Sequence, residues 1–317
     1  MKYLVTGSAG HLGEALVRTL RREGHSVIGL DLLASPFTDV VGSITNRALV
    51  AQCVLKADAV LHTATLHKPH VATHSRQSFV DTNISGTLTL LEEAAAAGVS
   101  AFVFTSTTST FGDALTPAPG EPAAWITEDV QPIPKNIYGA TKTAAEDLCQ
   151  LFARDHGLPC IVLRTSRFFP EEDDNSHTAS AYADGNAKAN EYLYRRVDIE
   201  DVVSAHLLAI DKAAALKFDR FIISATTPFT QSDLAELRSN APSVVERIVP
   251  DYKAVYDSLG WTMYPEIDRV YVNARALSAL GWQPRYDFLH VLHALSQGDD
   301  PRSVLAREIG TKHYHRI

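Results

Sequence analysis

The stretch LVTGSAGHLG, from Leu4 to Gly13, decides the fold of this chain. A strand-like apolar run ends at Gly7, and Gly10 and Gly13 follow where a helical pattern begins. In such a turn the first glycine permits the tight bend, the second lets the backbone approach a pyrophosphate, and the third lets helix and strand pack closely. The helix N-terminus then faces the anion. Three glycines alone are weak evidence, but in this position they predict a dinucleotide-binding loop.

Asp31, at the end of the next strand-like run SVIGLD, indicates which dinucleotide is bound. A carboxylate at this place accepts hydrogen bonds from both hydroxyls of the adenosine ribose and repels a 2′-phosphate. No arginine lies between Arg22 and Arg47 to offset that repulsion. We therefore expect NAD, rather than NADP, as the cofactor.

Strand-like and helical segments alternate through the first two-thirds of the chain. Short apolar runs such as KYLVTG, DAVLHT, AFVFTS and CIVLRT are typical of buried strands, and the longer segments between them have apolar residues three and four apart. This order predicts an α/β fold with a doubly wound parallel Rossmann sheet. After Thr227 the alternation is less regular, as in a smaller C-terminal substrate-binding lobe. We assign residues 1–166 and 197–226 to the NAD-binding domain, and residues 167–196 and 227–317 to the lobe.

Composition excludes several classes of protein. The net charge of −8 argues against a sequence-blind nucleic-acid binder, which normally carries a basic face. No run of about 18 apolar residues could cross a bilayer, and the N-terminus lacks the features of a secretion leader. The three cysteines, Cys53, Cys149 and Cys160, match no metal or redox spacing. We expect a cytoplasmic protein with no nucleic-acid or membrane partner.

The pair Tyr138 and Lys142, in YGATK, has the spacing that places both side chains on one helix face. Such a pair arises readily by chance, but this one follows the hydroxyl-rich strand end FTSTTSTFGD. A phenol, with an ordinary pKa of about 10, is a poor base unless a nearby cation stabilises its phenolate. Lys142 and an oxidised nicotinamide would both do so, and a strand-end hydroxyl would hold the substrate oxygen for proton transfer.

Taken together, these motifs resemble the extended branch of the short-chain dehydrogenase/reductase superfamily, the NAD-dependent epimerase/dehydratase type. The resemblance covers nearly the full length, through TGSAGHLG, DAVLHTA, NISGT, FTSTTSTFGD, YGATK and ALGWQPRY. It implies that Tyr138 is the catalytic acid/base, that Lys142 binds the nicotinamide ribose and lowers the tyrosine pKa, and that Thr107 replaces the catalytic serine. It also implies a homodimer formed by the helices that begin near Asn83 and Tyr138.

Two sets of ligand contacts follow from the resemblance and from the residues. We expect the cofactor to be bound by Gly7, Gly10, His11, Leu12, Gly13, Asp31, Thr63, Ala64, Asn83, Thr105, Tyr138 and Lys142. We expect the substrate to be bound by His67, Thr107, Thr108, Arg167 and Arg196.

The chain departs from the family pattern at three places. Where dehydratases and decarboxylases of the family have an acidic residue after the catalytic Ser or Thr, this chain has Thr108 and Ser109, which disfavours elimination and decarboxylation. Ser43 stands where an acidic residue often contacts the adenine, so that contact would be weaker or made by the backbone. Arg167 stands in place of an asparagine, and a guanidinium there suits a carboxylate or a phosphate.

The stretch HTATLHKPHVATH, from His62 to His74, raises the question of a metal site. His62 ends a predicted strand, where a packing role is the usual one. His70 and His74 are four apart, which permits zinc binding. No cysteine and no acidic residue lies close by in sequence, and hydride transfer with Tyr138 as acid/base needs no metal. We expect no metal: either His67 or Lys68 contacts the substrate, or these residues belong to a solvated loop.

The segment from Arg164 to Glu200 predicts a compact substrate. In nucleotide-sugar epimerases this region is longer and wraps the nucleotide diphosphate. Here it includes four consecutive acids, Glu171 to Asp174, which would repel a diphosphate if they faced the pocket. Arg167 either pairs with a single carboxylate or phosphate of the substrate or neutralises the acidic run as a surface ion pair. We expect a sugar-acid or polyol-like molecule.

The sequence thus predicts an NAD-dependent enzyme that acts on a secondary alcohol of a sugar-like molecule. It either releases the keto product, as a dehydrogenase, or returns the hydride to the other face, as an epimerase. Two alternatives stay open: a UDP-glucose-type 4-epimerase and a non-catalytic NAD-binding sensor. The presence of Thr107, Tyr138 and Lys142 together disfavours the sensor, which does not need all three.

Overall fold

A central sheet of parallel strands organises the molecule, as the computed structural model shows for residues 1–172 and 176–312. The strands are β1 (Lys2–Thr6), β2 (Ser26–Asp31), β3 (Val40–Val41), β4 (Ala59–His62), β5 (Ala101–Thr107), β6 (Ala124–Ile126), β7 (Cys160–Thr165), β8 (Phe218–Ile223) and β9 (Arg269–Tyr271). The described sheet has the order β3-β2-β1-β4-β5-β7-β8, and β6 pairs with β9 apart from it. All of these pairings are parallel. The predicted doubly wound Rossmann sheet is confirmed.

Helices cover both faces of the sheet because its strands are apolar on both sides. They are α1 (His11–Arg22), α2 (Arg47–Val54), α3 (Arg76–Phe79), α4 (Gly86–Ala97), α5 (Ile137–His156), α6 (Ser176–Ala181), α7 (Asp184–Glu191), α8 (Ile199–Leu216), α9 (Leu234–Ile248), α10 (Tyr252–Leu259), α11 (Phe288–Gln297) and α12 (Val304–Ile309). One face packs against α1, α8 and α12, and the other packs against α2, α4 and α5. Since the strand order reverses between β1 and β4, a crevice opens there at the carboxyl edge of the sheet.

The lobe has an apolar core of its own, built from α7, α9, α10 and α11. Its buried side chains include Tyr256, Phe288 and Leu237. Because this core is separate from the two that cover the sheet, we retain the two-part division of the chain as a proposal.

The packing divides the chain differently from the sequence-based assignment at two places. Ala123 belongs to the core of the lobe, and β6 beside it pairs with β9, although both lie inside the range 1–166. Trp282 and Leu305 pack on the sheet, although they lie inside the range 227–317. We therefore place residues 123–126 with the lobe, and we place the chain from 276 to 282 and α12 with the sheet.

Among the helices in the described ranges, none combines the length and the apolar composition needed to cross a bilayer.

Candidate active site

The glycine loop between β1 and α1 adopts the geometry that its sequence predicts. Gly7 has a φ of +73°, and a Cβ there would lie 2.7 Å from the backbone nitrogen of Ala64. A Cβ on Gly13 would lie 1.9 Å from the carbonyl oxygen of Gly7. Both positions therefore exclude a side chain, and the first turn of α1 points at the crevice. The loop is built to hold an anionic group at a helix N-terminus.

Asp31 joins the end of β2 to the glycine loop. One carboxylate oxygen accepts a hydrogen bond from the backbone N–H of Ala9, at 2.9 Å, and the other accepts from that of Leu33, at 2.8 Å. The hydroxyl of Ser43, on the facing wall, hydrogen-bonds to the hydroxyl of Thr45 at 2.8 Å. The carboxylate is thus held in place at the edge of the cleft, where the ribose is expected.

Tyr138 and Thr107 meet at the opposite end of the crevice. Asn136 caps α5 by accepting the N–H of Gly139, which places Tyr138 in the first turn. Tyr138 is 8% exposed, and its phenol lies beside the Thr107 hydroxyl, close enough for that hydroxyl to act on its pKa. Burial raises the pKa of Tyr138 to about 12, and the Thr107 hydroxyl opposes that rise.

Lys142 lies one helical turn further on and is almost completely buried. Its ammonium is 3.9 Å from the centre of the Phe104 ring. Burial lowers the pKa of Lys142 to about 7, and the negative charge of Glu146 opposes this. Burial dominates the pKa of the Tyr138 phenol here, and the expectation that Lys142 and the oxidised nicotinamide lower it stays a prediction.

Glu146, another turn along α5, anchors this helix face to the sheet. Its carboxylate accepts hydrogen bonds from the Ser106 hydroxyl, at 2.5 Å, and from the Arg164 guanidinium, whose closest nitrogen is at 2.7 Å. Both partners are buried, and they lie on the neighbouring strands β5 and β7. Tyr138, Lys142 and Glu146 therefore share one face of α5, and the last of them ties that face to the sheet.

A single cleft of about 570 Å³ runs from Asp31 past the glycine loop to Tyr138 and Arg167. Of the residues predicted to bind cofactor or substrate, the cleft is lined by Gly7, Gly10, His11, Leu12, Gly13, Asp31, Thr63, Ala64, His67, Thr105, Thr107, Thr108, Tyr138 and Arg167. Asn83, Lys142 and Arg196 do not line it.

Asn83 lies behind the wall of the cleft. Its amide oxygen accepts the N–H of Leu66 at 2.9 Å, and its amide nitrogen donates to the carbonyl of Leu66 and to the Thr141 hydroxyl. Asn83 thus holds the loop after β4 against α5 and shapes the cleft indirectly.

The structure places Arg195, rather than Arg196, in the cleft. Arg196 is 5% exposed and donates to Glu191 at 2.7 Å and to the carbonyl of Phe169. Arg195 ends the turn that follows α7, with its N–H donating to the carbonyl of Glu191, whereas Arg196 forms a β-bridge with Arg167, so their side chains point in different directions. Arg195 therefore joins Arg167 among the lining residues. The prediction that Arg196 contacts the substrate in this cleft is corrected by one position.

Glu191 is the shared partner of these arginines. It lies 2.8 Å from Arg195 and 3.4 Å from Arg167, and all three guanidinium groups keep the pKa of its buried carboxyl below the ordinary value against the effect of burial. The ion pair between Arg167 and the acidic run stays a prediction, since Asp173 and Asp174 of that run lie outside the described residues.

The histidine-rich stretch divides into a structural part and a part that lines the cleft. His62 is buried, and its two ring nitrogens lie 2.7 Å and 2.9 Å from the hydroxyls of Thr6 and Thr87, so the predicted structural role is confirmed. His67, like His70 and His74, lines the cleft. Within residues 1–172 and 176–312, no group of three or more potential ligands is placed to hold a metal.

Sequence reasoning missed the contacts that Glu171 and Phe169 make at the rim of the cleft. The ring nitrogen of His11 lies 3.0 Å from Glu171, which also accepts the backbone N–H of Lys312 at 2.8 Å. Burial would raise the pKa of Glu171, but the hydrogen bond and charge of His11 bring it to about 2. Phe169 packs against both His11 and His67. Contacts across more than 100 residues leave no local signal in the sequence.

The family model for the NAD dependent epimerase/dehydratase family matches residues 3–223. The chain belongs to this family. It is accordingly an NAD-dependent enzyme of the extended short-chain dehydrogenase/reductase type, and NAD is its cofactor.

Curated relatives cover nearly the whole chain. The low-salt glycan biosynthesis protein Agl12 of Haloferax volcanii is 27% identical over 95% of this chain and 100% of its own length. A UDP-glucose 4-epimerase of Lactobacillus helveticus is 25% identical over 90% of this chain and 93% of its own.

Solved structures share the fold. A short-chain dehydrogenase/reductase superfamily protein from Agrobacterium tumefaciens with bound NAD has a TM-score of 0.65 at 23% identity, over 94% of this chain and 96% of that one. The UDP-glucose 4-epimerase of Thermotoga maritima with UDP-glucose has a TM-score of 0.63 at 24% identity, over 94% and 98%. At this level of identity the likeness concerns the fold alone.

Proposed function

We propose that this enzyme transfers a hydride between NAD and a secondary alcohol of a compact, sugar-like, anionic substrate. The observation that carries the proposal is the burial of Tyr138 beside Thr107, with Lys142 buried one turn away, at the end of the cleft opposite Asp31. These groups support an acid/base role for the tyrosine because they surround the one point where a substrate oxygen can meet both hydroxyls.

Each of the three side chains has a distinct task in this proposal. The Thr107 hydroxyl holds the substrate oxygen in line with Tyr138. The phenol donates its proton to a carbonyl oxygen during reduction, and its phenolate takes the hydroxyl proton during oxidation. The Lys142 ammonium stabilises that phenolate, which a pKa of about 12 otherwise disfavours. When bound, NAD accepts or returns the hydride at its nicotinamide ring.

The lining of the cleft supports a small anion as substrate. The whole cleft, about 570 Å³, lies within the range of roughly 300–1,000 Å³ that holds one drug-sized ligand, and it must accommodate NAD as well. Arg167 and Arg195 face it near Thr107 and Tyr138, and both can bind a carboxylate or a phosphate. Glu171, an ionised carboxylate, also lines it and disfavours a diphosphate.

A second candidate is a nucleotide-sugar 4-epimerase. The relatives from Streptomyces lividans and Lactobacillus helveticus that match this chain are UDP-glucose 4-epimerases. The same three side chains serve an epimerase, since a dehydrogenase and an epimerase both oxidise the secondary alcohol to a keto compound.

One experiment separates the candidates. The enzyme with NAD is screened against sugar acids, polyols, free sugars and UDP-sugars, while NADH absorbance and the interconversion of epimers are followed. We expect turnover of a small anionic sugar, with NADH accumulating for a dehydrogenase and epimers interconverting without net NADH for an epimerase. Tight, saturable binding of UDP to the NAD-loaded enzyme would contradict the compact substrate and favour the second candidate.

A further inference from the structure

Thr105 takes part in a buried hydrogen-bond chain that leads away from the cleft. Its hydroxyl oxygen lies 2.8 Å from Nε2 of His206, in α8. The other ring nitrogen, Nδ1, lies 2.8 Å from the carbonyl oxygen of Val202. His206 is completely buried, whereas Thr105 lines the cleft, so the chain connects the helix layer with the binding surface.

The direction of each hydrogen bond in this chain follows from the groups involved. A carbonyl oxygen can only accept, so Nδ1 of His206 carries a proton and donates it to Val202. Burial lowers the pKa of His206 to about 4, so the imidazole is neutral near pH 7 and Nε2 holds a lone pair. The Thr105 hydroxyl must therefore donate to Nε2. Its own lone pairs have no other hydrogen-bond partner in the described parts of the chain.

The position of Thr105 indicates which part of the cofactor it meets. Thr105 lies two residues before Thr107 on β5, at the catalytic end of the cleft. Asp31, which marks the adenosine end, is on β2, three strands away, or roughly 14 Å at about 4.8 Å between strands. The nicotinamide half of NAD is therefore the part within reach. Its hydrogen-bond donors are the carboxamide N–H groups and the ribose hydroxyls.

We propose that His206 is a positioning residue that fixes Thr105 as a hydrogen-bond acceptor, and that Thr105 receives an N–H or O–H donor from the nicotinamide half of NAD. This inference rests on the proposed placement of NAD in the cleft. If the inference holds, the cofactor preference depends on the Thr105 hydroxyl. His206 directs the proton of this hydroxyl away from NAD without contacting NAD itself.

The first test compares NAD with 3-acetylpyridine adenine dinucleotide, in which a methyl ketone replaces the carboxamide. The affinities of the wild type, Thr105→Val and Thr105→Ser for both dinucleotides are measured by calorimetry. We expect the wild type and Thr105→Ser to favour NAD by roughly three- to ten-fold, the effect of one hydrogen bond. Thr105→Val should bring this ratio close to one.

The other outcomes are equally informative. If Thr105→Val weakens both dinucleotides by the same factor, the donor is a ribose hydroxyl and the acceptor role stands. If Thr105→Val leaves both affinities unchanged, the inference is overturned. If the wild type itself does not bind NAD, the proposed site fails, whatever the role of Thr105.

A second test separates positioning from packing at His206. His206→Leu removes the acceptor that directs the Thr105 proton, whereas His206→Gln retains an acceptor in its amide oxygen. We expect the leucine variant to lose the dinucleotide preference or the affinity that Thr105→Val loses, and the glutamine variant to restore it at least in part. Where Thr105→Val changes the ratio of the two affinities, an unchanged ratio in His206→Leu would reduce His206 to a packing role, because this ratio does not depend on the fraction of folded protein. Where Thr105→Val weakens both dinucleotides equally, the same conclusion would follow if folded His206→Leu bound both as tightly as the wild type.

Discussion

At the scale of single residues, Tyr138 is the side chain on which the chemistry depends most. It is buried against Thr107, and its pKa of about 12 keeps it protonated until a cation acts on it. Tyr138→Phe removes the acid/base and little volume. We expect turnover to fall by at least about 100-fold, with NAD affinity changed less than about two-fold.

Single-turnover kinetics and calorimetry of the same Tyr138→Phe preparation measure both quantities. Tyr286→Phe, in the lobe, is a matched control with an expected loss below two-fold. A Tyr138→Phe enzyme that retains most of its activity would show that the acid/base is misassigned.

Asp31 determines the choice between NAD and NADP. Since its carboxylate is held by Ala9 and Leu33 at the edge of the cleft, a 2′-phosphate would meet a fixed negative charge. We expect NAD to bind at least several-fold more tightly than NADP, and Asp31→Asn to narrow the difference. Calorimetric titration with both dinucleotides decides the matter, and equal affinities for the wild type would refute the assignment.

Arg167 and Arg196 differ in their expected roles, the first in substrate binding and the second in stability. Arg167 lines the cleft and is about one-third exposed, whereas Arg196 is buried on Glu191. We expect Arg167→Ala to lower kcat/KM for an anionic substrate by about ten-fold or more at unchanged NAD affinity. A neutral polyol substrate should be affected much less, which serves as the control. Similar losses for both substrates would point to a structural role instead.

At the scale of elements, α5 combines catalysis with a destabilising buried charge. In the unfolded chain Lys142 has its ordinary pKa of 10.5, whereas burial in the folded protein lowers this pKa to about 7. Between these values the unfolded chain binds more protons, so this group's contribution to stability rises with pH, and below about pH 7 the full penalty remains. Glu146, held by Arg164 and Ser106, limits the penalty.

We therefore expect Lys142→Met to stabilise the protein while abolishing catalysis. The gain should be on the order of 1–4 kcal/mol below pH 7 and should shrink as the pH rises toward 10, since each pKa unit corresponds to about 1.4 kcal/mol. Urea unfolding at several pH values measures it. Lys135→Met, at an exposed lysine just before α5, is the control and should show no such trend. A destabilised Lys142→Met at pH 6 would contradict the assigned charge penalty.

At the scale of the whole molecule, we propose a homodimer formed through α4 and α5. The solvent side of α5 carries Leu151, which is 37% exposed. Leu151→Glu should then yield a monomer, because a charge at a dimer core remains without a partner. Leu289→Glu, at a 54% exposed leucine in α11, is the matched control. Light scattering at micromolar concentration measures the mass, and a monomeric wild type would count against the proposal.

The sequence by itself determined the local features of this protein. Alternating apolar runs predicted the Rossmann sheet, because strand and helix periods are set by neighbouring residues. The spacing of Gly7, Gly10 and Gly13 predicted the anion loop, since their conformational demands are local. The helical spacing of Tyr138 and Lys142 likewise predicted a shared face.

Only the tertiary structure decided which distant residues meet and which side of a strand faces the cleft. Arg195 and Arg196 differ by one position, but the chain changes from a turn to a β-bridge between them, which gives their side chains different environments. His206 reaches Thr105 across 101 positions, and His11 reaches Glu171 across an even longer stretch of the chain. Such pairs depend on how helices pack on the sheet, a property of the whole fold that no local pattern encodes. The same packing buries Tyr138 and so raises its pKa, an effect that the spacing of Tyr138 and Lys142 could not show.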